Sequence, residues 1–226
     1  MDLGKAFSYV FDDEQWLSSI LIGGLIALIP IIGQLALLGY MLEAARNVAM
    51  GNPRPLPQWN NFGEKLSLGF GGFVISLVYA LPLILVSMAL ICFPILAATG
   101  ARSEEAAAAT IVGSLGCIVP LIIVLSILIQ PLLLAAMVRY LQTGSLGAAF
   151  QVGEVIAMVR ADLGSWLVLW LLSLLCGFIA GLGSAVLIGL IFTYPYSQAV
   201  FGHLMGQMMA RLGRPLDTGY PQQPLV

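Results

Sequence analysis

Residues 111–134 read IVGSLGCIVPLIIVLSILIQPLLL, a run dominated by apolar side chains without a single charge. A transmembrane helix needs about 20 predominantly apolar residues to cross a bilayer core about 30 Å thick. The run meets that length, and a similar composition extends from residue 106 to residue 142, where Arg139 is the one charged side chain. This stretch therefore predicts a membrane-spanning α-helix.

The rest of the chain has the same character. Of its 226 residues, 60% are hydrophobic and 9% are charged, and the mean hydropathy is +0.99. Soluble domains carry about 25% charged residues. The composition predicts an all-α integral membrane protein. The net charge of −2 and the lack of any basic run remove the electrostatic footprint of a nucleic-acid-binding protein.

Six helices are predicted when the apolar runs are divided at prolines and glycines. The first run, residues 16–50, would form a single helix about 50 Å long, which exceeds one crossing. Dividing it at Pro30 and Gly33 leaves a short first helix of about 20 Å. If that helix does not cross the membrane, the count is five. The predicted helices cover residues 17–29, 31–50, 68–98, 106–142, 166–180 and 185–207.

Prolines and glycines also predict where these helices bend or stop. Pro82 predicts a bend, and Pro94 predicts the end of the helix over residues 68–98. The Gly-Leu-Gly-Ser sequence at 181–184 predicts the turn between the last two helices.

A weak internal repeat groups the helices into three hairpins. The repeat units are 1–52, 58–144 and 145–213, within a single membrane domain over 1–213. Each unit opens with a short amphipathic lead-in, and residues 145–160 predict a helix lying on the membrane surface. The lead-ins are residues 3–7, 62–66 and 146–150. The proline-containing tail at 214–226 is predicted to be disordered and cytoplasmic.

The distribution of basic residues predicts the orientation. With three hairpins, eight of the nine Lys and Arg residues fall on the side of both termini, and Arg102 alone falls opposite. Cytoplasmic loops are enriched in Lys and Arg, so a cell-membrane protein with both termini in the cytoplasm is predicted. The eight residues are Lys5, Arg46, Arg54, Lys65, Arg139, Arg160, Arg211 and Arg214.

Ionisable residues inside a membrane mark candidate sites because they cost energy there. Glu43 lies three residues before Arg46 and four before Asn47, in the cytoplasmic half of the second helix. One interpretation is a carboxylate that lines a cytoplasmic vestibule. The simpler one is a structural Glu43–Arg46 ion pair one helical turn apart.

A second candidate joins the two arginines with the only histidine of the chain. Arg46, Arg139 and His203 occupy similar places at helix exits, so they could form a basic ring that binds lipid phosphate or another anion. The alternative is the ordinary positive flank of membrane helices.

Two proline-containing segments are the third candidate. Gln130 with Pro131, and Tyr194 and Pro195 with Gln198, place hydrogen-bonding groups beside a helix break. Matching breaks in repeated units can mark the binding site of a transporter, although simple kinks look the same.

The sequence contains no catalytic triad, phosphate-binding glycine loop or multi-histidine metal set, so no catalytic residue, cofactor or metal ligand is predicted and an enzyme is not expected. The leading hypothesis is a scaffold or accessory subunit that packs against membrane lipids and against another membrane protein or a second copy. Two G-x-x-x-G pairs, Gly177 with Gly181 and Gly202 with Gly206, would allow close helix contacts within or between chains. The alternative is a small transporter or channel for an uncharged or lipid-like solute.

A succession of short motifs fills residues 20–63. They are ILIGGL at 20–25, IPI at 29–31, LGY at 38–40, RNV at 46–48, LPQW at 56–59 and FG at 62–63. Over about residues 8–85 this succession resembles a prokaryotic integral membrane family, domain of unknown function 4013. The resemblance implies a bacterial or archaeal cytoplasmic-membrane protein and brings no established activity, cofactor or binding residue. Gln58 stands where that family usually has an acidic residue.

Overall fold

The computed structural model describes residues 1–101, 103–184 and 187–213, and every regular element in these ranges is helical. Arg102 and the predicted disordered tail at 214–226 lie outside the described residues. A short 3-10 turn, Trp59–Asn61, precedes the fourth α-helix. The α-helices are α1 (Leu3–Ser8), α2 (Trp16–Ala27), α3 (Ile32–Ala49), α4 (Phe62–Thr99), α5 (Glu104–Thr143), α6 (Leu146–Ala149), α7 (Val152–Ala161), α8 (Leu163–Ser184) and α9 (Leu187–Arg211).

The first apolar run is divided between α2 and α3, as the sequence predicts. Pro30 lies in the connection, and Ile31 has a φ of 66°, a left-handed conformation that β-branched residues rarely adopt. Gly33 lets α3 begin directly against α2, because a Cβ there would overlap the carbonyl oxygen of Ile26. With 12 residues, α2 is about 18 Å long. The predicted short first helix is therefore confirmed.

The longest elements are α4, with 38 residues, and α5, with 40, which pack against each other and are called the α4–α5 pair below. The predicted end near Pro94 is wrong, because α4 continues to Thr99. The lead-in predicted at 62–66 is not a separate surface helix, since these residues form the first turns of α4. In lipid a helix tolerates internal proline, because neighbouring groups can satisfy the carbonyl that it leaves unbonded.

The second half of the chain differs from the prediction at two places. Residues 181–184, predicted as a turn, are the last residues of α8. Glycine is common in transmembrane helices, where a continuous helix satisfies every backbone group. The surface helix predicted at 145–160 is divided into α6 and α7, with Phe150 and Gln151 between them.

The centre of the packing is α9, which contacts α2, α3 and α8 along its length. A Cβ at Gly202 would overlap the carbonyl oxygen of Met41, and one at Gly206 would lie 2.5 Å from the carbonyl oxygen of Ala45. The second G-x-x-x-G pair is thus a contact within the chain. A Cβ at Gly177 on α8 meets nothing within 4 Å.

Three helical segments of the described residues are long and apolar enough to cross a membrane: Trp59–Thr99, Glu104–Thr143 and Leu163–Gly183. The apolar α2 is shorter than these segments. Only 6% of the most apolar eighteen residues of each of the first two segments is buried within the chain. The α4–α5 pair therefore presents most of its apolar surface to its surroundings.

Candidate functional site

Two ion pairs between α3 and α4 form the polar cluster at the end of α3. Glu43 Oε2 lies 2.8 Å from Lys65 Nζ, and Arg46 Nη2 lies 2.7 Å from Glu64 Oε1. Both α3 residues were predicted as site residues, and the structure places both at this edge. Each of the two also has an ion-pair partner on α4, while the charge of Arg46 still acts electrostatically on Glu43.

Close contact between the two helices explains this choice of partners. A Cβ at Gly39 of α3 would overlap the carbonyl oxygen of Lys65, and a Cβ at Gly69 of α4 would overlap that of Leu35. The approach leaves Lys65 completely buried. A buried ammonium group needs an opposite charge within direct reach, and Glu43 on the facing helix supplies it.

A tryptophan ring lies beside the buried ammonium group. Lys65 Nζ lies 5.6 Å from the centre of the Trp59 ring, within cation–π distance, and donates to the carbonyl oxygen of Gln58. Trp59 stacks on Tyr40 with ring centroids 5.1 Å apart, and its Nε1 donates to the Ser19 carbonyl at 2.8 Å. These contacts fasten the residues before α4 to α2 and α3.

Asn47 organises the loop that follows α3. Its Nδ2 donates to the carbonyl oxygen of Pro55 at 3.2 Å, and its Oδ1 accepts from Asn52 Nδ2 at 3.3 Å. Asn47, which the sequence predicted as a site residue, therefore holds the backbone of this loop in place.

Arg139 is held at the other side of the same end of the molecule by α6 and α7. Its Nη2 donates to Gln151 Oε1 at 2.7 Å, and its Nη1 lies 3.5 Å from Glu154 Oε2. No hydrogen bond or ion pair among the described residues joins Arg46, Arg139 and His203. The three predicted ring members thus have separate partners.

Gln207 determines the tautomer of His203. Gln207 Oε1 accepts from the backbone N–H of Asp2 at 2.6 Å, and Gln207 Nε2 donates to the Asp2 carbonyl at 3.0 Å. The same Nε2 lies 3.0 Å from His203 Nδ1. Because an amide nitrogen only donates, Nδ1 must accept and the ring proton lies on Nε2. His203 therefore offers one directed N–H group.

His203 lines a cavity of about 270 Å³ between α1, α9 and the loop after α3, which is called the α1–α9 cavity below. Lys5 and Asp12 are among the charged residues that line it. Tyr9 lies against His203, with ring centroids 4.4 Å apart, and donates to the Ala199 carbonyl at 2.9 Å. Burial raises the pKa of Tyr9, so its hydroxyl remains a hydrogen-bond donor.

Among the described residues, no hydrogen bond joins the residues predicted at the two helix breaks. Gln130 is exposed on α5, and Pro131 is buried beside it. Tyr194 donates to Gln34 Oε1 of α3 at 2.6 Å, while Gln198 is half-buried. Neither of the two cavities described in the structure is lined by these residues.

The model of the family described as "Protein of unknown function (DUF4013)" matches residues 22–189. The chain belongs to this family. The match confirms the resemblance seen in the sequence and extends well beyond residue 85 into α8 and the start of α9. A search of the curated proteins finds no match for this DUF4013 chain, and a search of the solved structures finds none either.

Sequence reasoning missed several partners in this DUF4013 chain. Glu64 and Lys65 stand immediately before an apolar run, which is the same signal that identified Glu43 and Arg46. Pairing opposite charges across successive helix ends would have found them. Gln34, by contrast, carries no local signal, because its partner lies 160 residues away.

Proposed function

We propose that the chain is a non-enzymatic, multi-pass protein of the cell membrane that acts as a scaffold or accessory subunit. The observation that carries the proposal is the α4–α5 pair, two long apolar helices whose surface is hardly buried within the chain. Membrane lipids and a further membrane-embedded protein surface are the partners that such a surface fits.

The chemistry of the polar clusters supports a role without catalysis. The charged groups of the α3–α4 cluster, Glu43, Arg46, Glu64 and Lys65, form ion pairs with one another. Arg139 fixes two short helices, and Asn47 fixes a loop. These are structural contacts, and none of them places a nucleophile beside a general base.

Helix packing favours this role over transport. A channel or transporter needs space beside its broken helices, yet a Cβ at Gly23 would lie 3.0 Å from the Pro195 side chain. A Cβ at Gly24 would overlap the Ile191 carbonyl oxygen. The region around Pro195, which lies inside the continuous helix α9, is thus closely packed against α2, which leaves little room for a solute.

The open face of α8 is the surface that we propose for contact with a second copy. Gly177 leaves space on this helix for a neighbouring backbone, as small residues do in membrane helix dimers. The closing experiment is chemical crosslinking in native membranes, followed by native mass spectrometry in mild detergent. We expect the wild type to form a dimer or a defined complex, and we expect Gly177→Leu to reduce it.

Gly153→Leu on the surface helix α7 is the matched control, because a Cβ there also meets nothing within 4 Å. It should leave the complex intact. A wild-type protein that stays monomeric and without a partner in membranes would overturn the scaffold proposal. A stable complex that Gly177→Leu leaves unchanged would overturn the assignment of the α8 face.

A further inference from the structure

The α1–α9 cavity of about 270 Å³ is lined by a histidine that is almost entirely buried. His203 is only 3% exposed, and its one hydrogen bond among the described residues is made by Nδ1. Nε2 is not one of the fully buried polar atoms that lack a partner, so this N–H group is accessible to solvent. An accessible N–H group on an otherwise buried side chain can donate to water or to a ligand.

A positive charge stands beside this donor. Lys5 lines the same cavity as His203, and its ammonium group acts electrostatically on the ring, as the Asp2 carboxylate does with the opposite sign. Within the described part of the chain Lys5 makes no ion pair. A positive charge next to an N–H donor is a typical arrangement for binding a phosphate oxygen. Arg54 also lines the cavity, although Glu14 pairs with it at 3.2 Å.

The cavity also has negative charges. Asp12 and Asp13 both line it, and Asp13 is 8% exposed, with one carboxylate oxygen accepting from the N–H of Gln15 at 2.8 Å. Simple anions would be repelled by these two carboxylates. A ligand that carries both a phosphate and an ammonium group would match this mixed charge of the lining.

The surroundings favour a lipid as the source of such a ligand. Leu3, Phe11 and Leu17 are exposed apolar residues in and between α1 and α2, close in sequence to the cavity residues. A short amphipathic helix with exposed apolar residues fits the interface of a bilayer. The acyl chains of a lipid would find apolar surface there while its headgroup entered the cavity.

We propose that the α1–α9 cavity binds the phosphate–ammonium headgroup of a phosphoethanolamine-type membrane lipid. The phosphate lies against Lys5 and the His203 N–H group, and the ammonium group lies against Asp12 and Asp13. The cavity of about 270 Å³ has room for several water molecules, since each takes about 30 Å³ of liquid volume. The headgroup would occupy the space of these waters. The proposal rests on insertion in a membrane and is independent of any complex formed through α8.

The test is native mass spectrometry of the full chain released from nanodiscs that contain equal parts of phosphatidylethanolamine, phosphatidylcholine and phosphatidylglycerol. We expect the wild type to retain phosphatidylethanolamine selectively. Lys5→Gln is expected to lower that retention about three- to fivefold, the upper range for one partly exposed ion pair. Asp12→Asn is expected to lower the preference for phosphatidylethanolamine over phosphatidylglycerol.

Arg160→Gln on α7 is the matched control for Lys5→Gln, and Glu105→Gln at the start of α5 is the control for Asp12→Asn. Both controls should retain lipid as the wild type does. His203→Phe keeps a ring against Tyr9 and removes the N–H donor, so it should also lose retention. Because this residue is buried, Lys5→Gln decides the outcome if His203→Phe does not fold.

A second experiment distinguishes a membrane lipid from a soluble compound as the source of the ligand. Soluble phosphoethanolamine and inorganic phosphate are titrated into delipidated protein, and binding is followed by tryptophan fluorescence. Binding of a soluble compound without selective lipid retention would overturn the lipid assignment. Equal retention of the three lipids, or unchanged retention in folded Lys5→Gln, would overturn the site. The native mass spectra also report the oligomeric state of the protein. A failure of the scaffold proposal is therefore seen separately from a failure of the lipid site.

Discussion

Lys65 shows what one buried charge requires of its neighbours. Its side chain is fully buried, and Glu43 is the carboxylate within ion-pair distance, at 2.8 Å. Removing both charges from water costs several kcal/mol for each, which their attraction offsets only while both are present. The pair therefore specifies how α3 and α4 meet, since a shift of either helix would separate the two groups.

Glu43→Gln is expected to destabilise the protein by about 3–5 kcal/mol, because Lys65 would remain charged and buried without its carboxylate. Thermal and denaturant unfolding in detergent micelles measure the change. Adding Lys65→Met should recover much of the loss, since the double variant buries an apolar side chain of similar length.

Glu14→Gln is the matched control, since Glu14 pairs with Arg54 on the exposed surface. Exposed pairs contribute little to stability, so this variant should unfold like the wild type. An equal effect of Glu43→Gln and Glu14→Gln, or no recovery in the double variant, would contradict the assignment of a buried structural pair.

The sequence identified Glu43 and Arg46 correctly as residues of interest, because charges are rare beside apolar runs. It did not identify their partners. That choice depends on how closely α3 and α4 approach at Gly39 and Gly69, and both glycines look like ordinary small residues in the sequence. Residue-scale chemistry was thus predictable from composition, whereas the pairing required the packing of two elements.

At the scale of elements, the contact between α3 and α9 depends on small residues. A Cβ at Gly206 would lie 2.5 Å from the Ala45 carbonyl oxygen and 2.6 Å from the Val48 Cβ atom. Gly206→Ala is therefore expected to destabilise the protein by about 1–3 kcal/mol through overpacking. Unfolding in detergent measures the effect.

Gly177→Ala is the control for this prediction, because the added methyl group meets nothing within 4 Å and alanine is the better helix former. It should not lower stability. If Gly206→Ala were as stable as Gly177→Ala, α3 and α9 would have to separate more easily than their packing indicates.

The sequence predicted the end of the first apolar helix correctly at Pro30. It did not predict the helix ends correctly at Pro94 and at residues 181–184. Pro30 follows the end of α2 at Ala27, and Ile31 takes a left-handed conformation directly before α3 begins. Pro94 looked like a similar stop signal, yet α4 continues to Thr99, and residues 181–184 are the last helical residues of α8. In lipid an unbonded backbone group costs several kcal/mol, which favours continuing a helix through weak breakers.

At the scale of the whole molecule, the α4–α5 pair is longer than a bilayer core is thick. At 38 and 40 residues, the helices measure about 57 and 60 Å against about 30 Å of hydrocarbon. Such helices tilt or bend when they cross a membrane. Counted outward from Thr99 and Glu104, Pro82 and Pro120 lie at nearly the same height inside the two helices, and proline is a common cause of helix bending.

The proposed topology of three hairpins places the 100–103 connection outside the cell and the connection after α5 in the cytoplasm. The charge distribution supports it, since Arg46, Arg54 and Arg139 lie near the ends assigned to the cytoplasm. In a variant with all three cysteines replaced by serine, Glu105→Cys should react with an impermeant maleimide in intact cells. Ser145→Cys should react only after the cells are permeabilised.

Ile31→Cys extends this labelling experiment to α2, the helix on which the count of six depends. Ile31 is 76% exposed at the connection between α2 and α3. Although α2 measures only about 18 Å, six crossings require its far end to reach the outer face, where local thinning of the bilayer offsets the short length. Ile31→Cys should therefore react from outside. Labelling of Ser145→Cys in intact cells would contradict the proposed orientation. Protection of Ile31→Cys alone would mean that α2 is re-entrant and does not count as a membrane crossing.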